Sequence, residues 1–261
     1  MAVPEWGRNV PFTQYGPLFS ILLAGIGISG VDPLIGAKGL NIFLFGTNIF
    51  LPAWIIFHAT CSRGFSFFGS FILSTSLVML WLHAMALSEP TFLFFTLLGL
   101  YVLALYLQKQ DRSFLLILSG FFISLAFLAK YSGVSVVATG VLSVFLFSRK
   151  SLAEKTREAF LLGVISCIPM IFWLMRNKMV IGSPTGIGIH LDFHPYILGN
   201  LRQLAAYPSL WLLPKSVPVV FRSLALLAAV VFLVSGSAAL FKRPVRLEKL
   251  PAILWLLIIS H

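Results

Sequence analysis

Long apolar runs that end at short clusters of basic residues dominate this chain. The clearest run extends from Phe160 to Met175, stops at Arg176, Asn177 and Lys178, and is followed by a loop rich in glycine and proline. Such a run is long enough to cross a bilayer. Hydrophobic residues make up 59% of the sequence and charged residues 10%, whereas a soluble domain carries about 25% charged residues. The absence of alternating ten-residue segments argues against a barrel. The sequence therefore predicts an all-α fold, a polytopic transmembrane helical bundle.

The polar breaks between the runs predict a single transmembrane domain over residues 1–261. Residues 1–15 are predicted to be a loop, and the short apolar segment at about 17–30 is predicted to be an interfacial helix. The segment 182–220, which contains five prolines, is predicted to be an external loop. The predicted spans are 40–58 (interrupted by Pro52), 65–87, 91–107, 114–129, 134–147, 160–175, 223–241 and an incomplete span at 250–261.

The distribution of Lys and Arg predicts the orientation in the membrane. Eleven of the 19 basic residues fall on the side of the compact loops, which include 149–157 and 242–249. Basic residues in short loops mark the cytoplasmic side, so the amino terminus and the 182–220 loop are predicted to lie outside. The same topology accounts for the net charge of +11, and no nucleic-acid partner is predicted.

Three cations at predicted outer helix ends are candidate ligands for an anion. Lys130 ends the fourth span, and Arg176 and Lys178 end the sixth. Arg forks onto phosphate oxygens and Lys adds a point charge, so these residues could bind phosphate. The alternative is that their side chains extend to the lipid headgroups without any further role. The sequence leaves both interpretations open.

Three acidic residues on the outer side are candidates for a general base. They are Glu5, Asp32 and Glu89. Glu89 could instead be the acid of a helix start, with Ser88 as the cap and Pro90 in the first turn. It could also pair with an outer cation.

Histidines offer little support for a metal site. His190 and His194 flank Asp192, but they lie in a predicted loop with no third ligand. His83 lies in an apolar run, where packing or hydrogen bonding is expected. No phosphate-binding loop, nucleophile elbow or CxxC motif is present. The sequence predicts no metal and no cofactor.

Several segments in a fixed order resemble the GT-C glycosyltransferases, which include the protein O-mannosyltransferases and the aminoarabinose transferases that modify lipid A. The resemblance covers most of residues 11–190. The segments are YGPLFSILLA, DPLIGAKGLNIFLFG, MALSEPTFLFFTLLGLYVLAL, LSGFFISLAFLAKYSG and FWLMRNKMVIGSPTG.

The resemblance implies a function. It implies that the donor is a polyprenyl-phosphate sugar, which lies among the membrane lipids. It also implies that the acceptor is a lipid, glycan or protein on the extracytoplasmic face. The donor phosphate would be held by Lys130, Arg176 and Lys178, and the base would come from the first external loop, to which Glu5 is closest. The expected location is a bacterial plasma (inner) membrane.

Two further expectations accompany this hypothesis. The chain is expected to be truncated, because the first span and acidic motif of such enzymes should precede residue 15. The alternative function is a transporter or lipid flippase. That alternative calls for ionisable groups within the spans and for an internal repeat, and the sequence shows neither clearly.

Overall fold

The computed structural model describes residues 2–5, 8–11, 15–109, 112–185, 209, 213–214, 216–228, 231 and 250–260. A short antiparallel pair of strands, β1 (Ala2–Glu5) and β2 (Arg8–Pro11), precedes the helices. The helices are α1 (Leu18–Ile28), α2 (Pro33–Thr60), α3 (Arg63–Thr75), α4 (Leu77–Ala84), α5 (Glu89–Gln108), α6 (Ser113–Ala129), α7 (Val134–Phe147), α8 (Leu152–Ile181), α9 (Val219–Ala228) and α10 (Leu250–Ser260).

The prediction of an all-α membrane bundle is confirmed. Helices α2, α5 and α8 are long and apolar enough to cross a membrane, and the bent pair α3–α4 forms a fourth candidate. Helix α6 has 17 residues. This length is at the lower limit for a helix that crosses a membrane. The exception to the helical pattern is the strand pair, which occupies part of the segment predicted to be a loop.

The bundle has two ends, which cross-helix hydrogen bonds define. We call them the Glu89 end and the Lys150 end. Along α2 and α5, the Asn48 side chain donates to the carbonyl of Pro90 (2.9 Å) and Trp54 Nε1 donates to the hydroxyl of Tyr101 (3.1 Å). Both helices therefore run from the Glu89 end to the Lys150 end. Helices α6 and α8 run in the opposite direction and end near residues 130 and 181.

The core forms where α5, α6, α7 and α8 pack together. The large side chains that are fully buried here include Leu100, Leu103, Leu116, Ile123 and Leu162. Gly120 lets α6 approach α8, because a Cβ at this position would lie 3.0 Å from Ile165 Cγ2. Its carbonyl also accepts a hydrogen bond from Ser166 Oγ at 3.3 Å. Small residues of this kind allow membrane helices to pack closely.

A buried ion pair lies at the Lys150 end. Lys150 Nζ contacts Glu158 Oε1 at 2.5 Å and donates to the hydroxyl of Tyr106 at 3.2 Å. The side chain of Glu158 is only 7% exposed. The hydrogen bond to Glu158 raises the pKa of Lys150, so the ammonium stays charged. This cluster connects the turn between α7 and α8 to the end of α5.

The predicted span 65–87 is two helices in the structure. Helices α3 and α4 meet at Ser76 with a bend of 58°. The backbone of Ser76 is extended (φ −65°, ψ 119°), which interrupts the helical hydrogen bonds. The predicted interruption of the first span by Pro52 is absent, since α2 continues through Pro52 to Thr60. A proline is tolerated inside a membrane helix because neighbouring groups satisfy the freed carbonyl.

The sixth helix is longer than the predicted 160–175 at both ends. Helix α8 starts with a capping box in which Ser151 Oγ accepts from the backbone of Glu154 and the Glu154 side chain accepts in return. It ends at Gly182, which has a φ of 74°. The polar run 176–178 therefore lies inside the last turns of the helix. Most of the predicted 182–220 loop and of the span 223–241 lies outside the described residues, although α9 starts at Val219, before the predicted span.

Candidate functional site

A cavity of about 470 Å³ opens at the Glu89 end of the bundle. Three parts of the chain line it. They are the segment that leads into α1 (Tyr15, Gly16 and Phe19), the connection from α4 to α5 (86–89), and the connection from α6 to α7 (129–132). The cavity therefore collects residues that are more than a hundred positions apart in the sequence.

Gly16 lets the segment before α1 lie directly on the end of α6. A Cβ at this position would overlap the carbonyl oxygens of Leu128 and Ala129. Any larger residue would push the segment away from α6 and widen the cavity on that side. The local structure thus depends on a residue without a side chain at the point of closest approach.

Two buried asparagines of α2 hold the opposite wall. Asn41 donates to the carbonyl of Met85 (2.5 Å), and Asn48 donates to the carbonyl of Pro90 (2.9 Å). Asn48 also contacts His83 Nε2 at 3.1 Å. Both asparagines are fully buried. Asn41 satisfies carbonyls of the connection between α4 and α5, which lie outside both helices. Asn48 donates to the first turn of α5, so the two asparagines together fix the segment that carries Glu89.

His83 is part of this support, as the sequence predicted. It is buried, and its Nδ1 contacts the carbonyl of Met79 at 2.7 Å. With Nδ1 as the donor, Nε2 accepts from Asn48, so all its polar atoms have partners. His83 therefore has a packing and hydrogen-bonding role.

A salt bridge crosses the cavity wall. Lys130 Nζ lies 3.0 Å from Glu89 Oε1, and the two side chains are 42% and 31% exposed. Lys130 follows the last residue of α6, and Glu89 is the first residue of α5. Of the alternatives that the sequence left open for Glu89, pairing with a cation corresponds to this contact with Lys130. Glu89 is also the acid of a helix start: Ser88 occupies the N-cap position, although its side chain makes no capping hydrogen bond, and Pro90 lies in the first turn.

Arg176 lies behind the cavity wall, connected to it through two aromatic residues. Its guanidinium stacks on the ring of Trp173 with 4.9 Å to the ring centroid. Trp173 Nε1 in turn donates to the hydroxyl of Tyr131 (3.3 Å), and Tyr131 lines the cavity. Arg176 also donates to Asn177 Oδ1 at 3.1 Å. This stacking fixes the direction of the guanidinium.

Asn177 is the buried centre of this group. It is fully buried, and its Nδ2 donates to the carbonyl of Pro184 at 3.0 Å. Its side chain also interacts with the hydroxyl of Tyr131. One residue thus joins the last turn of α8, the segment after it and the cavity wall.

The structure separates Lys178 from the other two cations. Lys178 is exposed and lies two positions after Arg176 in a continuous helix. Residues two positions apart point about 200° apart around a helix axis. Lys178 therefore lies on the face of α8 opposite to Arg176. Lys130 precedes Tyr131 in the cavity lining, and Arg176 is connected to Tyr131 through Trp173.

Asp32 does not line the cavity. Asp32 caps α2, since its Oδ1 accepts from the backbone N–H groups of Leu34 (2.9 Å) and Ile35 (3.2 Å). Glu5 is the last residue of β1. Among the described residues, no group of three His, Cys, Asp or Glu side chains could hold a metal. His190, Asp192 and His194 lie outside the described residues.

The sequence analysis missed the residues that support the site. Asn41 and Asn48 are seven positions apart in an apolar helix, which places them on one face. This spacing was the signal that could have identified them. Trp173 and Asn177 are four positions apart and form the matching pair on α8.

The comparison with protein families identifies a family whose sequence model covers most of the chain. Residues 7–193 match the sequence model of the family described as dolichyl-phosphate-mannose-protein mannosyltransferase, which is 187 of the 261 residues. All three segments that line the cavity lie inside the matched region. No curated protein and no solved structure matches the chain.

Proposed function

The chain belongs to the dolichyl-phosphate-mannose-protein mannosyltransferase family, and on that premise we propose that it transfers a sugar from a polyprenyl-phosphate donor to an acceptor hydroxyl. Membership in this family makes it a multi-pass membrane glycosyltransferase of the GT-C type, and favours this function over a transporter or flippase. The family description names dolichyl-phosphate mannose and a protein, which are therefore the first donor and acceptor to test.

The observation that carries the proposal is the cavity at the Glu89 end with Lys130 in its wall and Arg176 behind it. In the proposed reaction the bond between the anomeric carbon and the phosphate oxygen breaks, and its electrons stay on the polyprenyl phosphate. The acceptor oxygen bonds to the anomeric carbon and gives its proton to an acidic side chain. Negative charge thus grows on the leaving phosphate, where fixed cations stabilise the transition state.

We assign the phosphate to Lys130 and Arg176. Lys130 would exchange its contact with Glu89 for the phosphate, since a salt bridge between half-exposed groups contributes only about 0–1 kcal/mol. Arg176, fixed by Trp173, would offer a fork of two N–H groups. We place this site on the outer side of the membrane, following the distribution of Lys and Arg. Lys178, on the other face of α8, is left out of the assignment.

The test measures release of polyprenyl phosphate in membranes supplied with a polyprenyl-phosphate sugar. We expect Lys130→Ala and Arg176→Ala each to remove about 2–4 kcal/mol of transition-state stabilisation. The rate should therefore fall by about 30- to 1000-fold. Lys38→Ala is the matched control, because Lys38 is an exposed cation of α2 near the Glu89 end of the bundle and does not line the cavity. Parental turnover by Arg176→Ala at equal protein abundance would contradict the assignment.

A further inference from the structure

A second groove, of about 390 Å³, lies between α2 and α3 near the Lys150 end. Its walls are aromatic: Phe50, Trp54 and Phe57 come from α2, and Phe67 comes from α3. These side chains are between 38% and 72% exposed. An open aromatic groove on the outside of a membrane bundle faces the acyl chains of the bilayer.

Among the described residues that line this groove, one side chain is charged. Arg63, the first residue of α3, lines the groove at the end of α2, where the helices reach the Lys150 end. Arg63 is exposed, and within the described part of the chain it has no acidic partner. A basic residue at the boundary between hydrocarbon and water attracts an anionic headgroup.

Hydrogen bonds shape the groove without any ligand. Trp54 Nε1 donates to the hydroxyl of Tyr101, which also contacts His58 Nδ1 at 2.8 Å. On the other side, Ser66 Oγ donates to the carbonyl of Ala53 at 2.7 Å and joins α3 to α2. The Trp54 side chain and the contact between α2 and α3 are thus fixed before a ligand binds. Less conformational entropy of the protein is therefore lost on binding.

We propose that this groove binds one anionic phospholipid from the leaflet at the Lys150 end. The acyl chain lies along Phe50, Phe57 and Phe67, and the headgroup phosphate contacts Arg63. The aromatic wall suits the acyl chain of an anionic phospholipid, and Arg63 at the mouth suits its headgroup. A zwitterionic lipid would fill the same wall but would gain less from Arg63. The groove lies at the opposite end from the cavity, so this site is separate from the proposed sugar-transfer site.

The experiment follows quenching of Trp54 by brominated lipids. The whole chain is reconstituted in phosphatidylcholine bilayers that contain increasing fractions of brominated phosphatidylglycerol or brominated phosphatidylcholine. The emission of Trp54 is obtained as the difference between each protein and the same protein carrying Trp54→Phe. We expect brominated phosphatidylglycerol to quench Trp54 at a lower mole fraction than brominated phosphatidylcholine.

Variants at the mouth of the groove test the role of Arg63. Arg63→Gln should raise the fraction of phosphatidylglycerol needed for half quenching by about fivefold, the factor for one basic residue at an anionic surface. Arg63→Lys keeps the charge and should retain most of the preference. Arg112→Gln is the matched control, since Arg112 is an exposed cation at the same end and does not line the groove.

Three results would overturn the proposal. Equal quenching by the two lipids in the parent protein would show ordinary contact with the bilayer. An equal shift for Arg112→Gln and Arg63→Gln would show a general effect of surface charge. Lack of quenching by either lipid would show that the groove is covered by protein and is not in contact with lipid.

Discussion

Replacing Glu89 by Gln separates two roles that the carboxylate could have in the cavity. Glu89 is half-exposed and in contact with Lys130 at 3.0 Å. If it serves as the counter-ion that the donor phosphate displaces, its removal frees Lys130 for the donor. If it serves as the general base, its removal stops proton transfer from the acceptor.

The magnitudes of the two effects differ widely. A salt bridge at this exposure contributes about 0–1 kcal/mol, so Glu89→Gln should change the thermal stability little. In this variant the donor phosphate no longer has to displace Glu89 from Lys130. The KM for the donor should therefore fall by up to about fivefold. Loss of a general base would instead lower kcat by about 10²–10⁴-fold. We expect the first outcome, because the contact with Lys130 is the interaction that the structure shows for the Glu89 carboxylate.

The assay is a double-mutant cycle on donor KM and kcat with Glu89→Gln, Lys130→Gln and both together. A counter-ion acts only through its partner, so Glu89→Gln should have no effect on KM when Lys130 is already Gln. Thermal unfolding of each variant serves as the folding control. A fall in kcat of a hundredfold or more in both backgrounds, with unchanged unfolding, would refute the counter-ion role and identify Glu89 as the base.

Two further predictions concern orientation and support. After removal of the two native cysteines, Ser151→Cys should resist a membrane-impermeant thiol reagent in intact cells and Ser183→Cys should react; the reverse pattern would place the Glu89 end in the cytoplasm. Asn48→Leu should lower the free energy of unfolding by about 1–3 kcal/mol, because it leaves Nε2 of the buried His83 without a donor. A thermal unfolding transition equal to that of the parent would show that this hydrogen bond has no net value.

Helix type and approximate position could be predicted from hydropathy, because an apolar run in a bilayer must satisfy its own backbone groups. The ends of helices were predicted less well. Arg176 and Lys178 were predicted to end a span, but charged side chains do not stop a helix, and α8 continues to Ile181 with Gly182 as its cap. The break at Ser76 involves neither proline nor glycine, so no local signal marked it.

The candidate site could be predicted only in part. The sequence identified Glu89, Lys130 and Arg176 because charges are rare in this chain. The contacts among them depend on how the helices are rotated against one another. Trp173 and Tyr131, for example, are 42 positions apart. Local periodicity contains no information about such a pairing, and this is why the aromatic connection between Arg176 and the cavity was missed.

The buried pair at the Lys150 end also bears on the order in which the chain is built into the membrane. Lys150 and Glu158 are only eight positions apart and belong to the same helical hairpin, α7–α8. An isolated charge in the bilayer costs several kcal/mol, but Lys150 has its counter-ion, Glu158, within the same hairpin. The hairpin can thus insert as one unit before it docks. Tyr106 was synthesised earlier and receives the spare N–H of Lys150 only when α5 and the hairpin meet, so assembly is completed by a hydrogen bond between two segments that are already in the membrane.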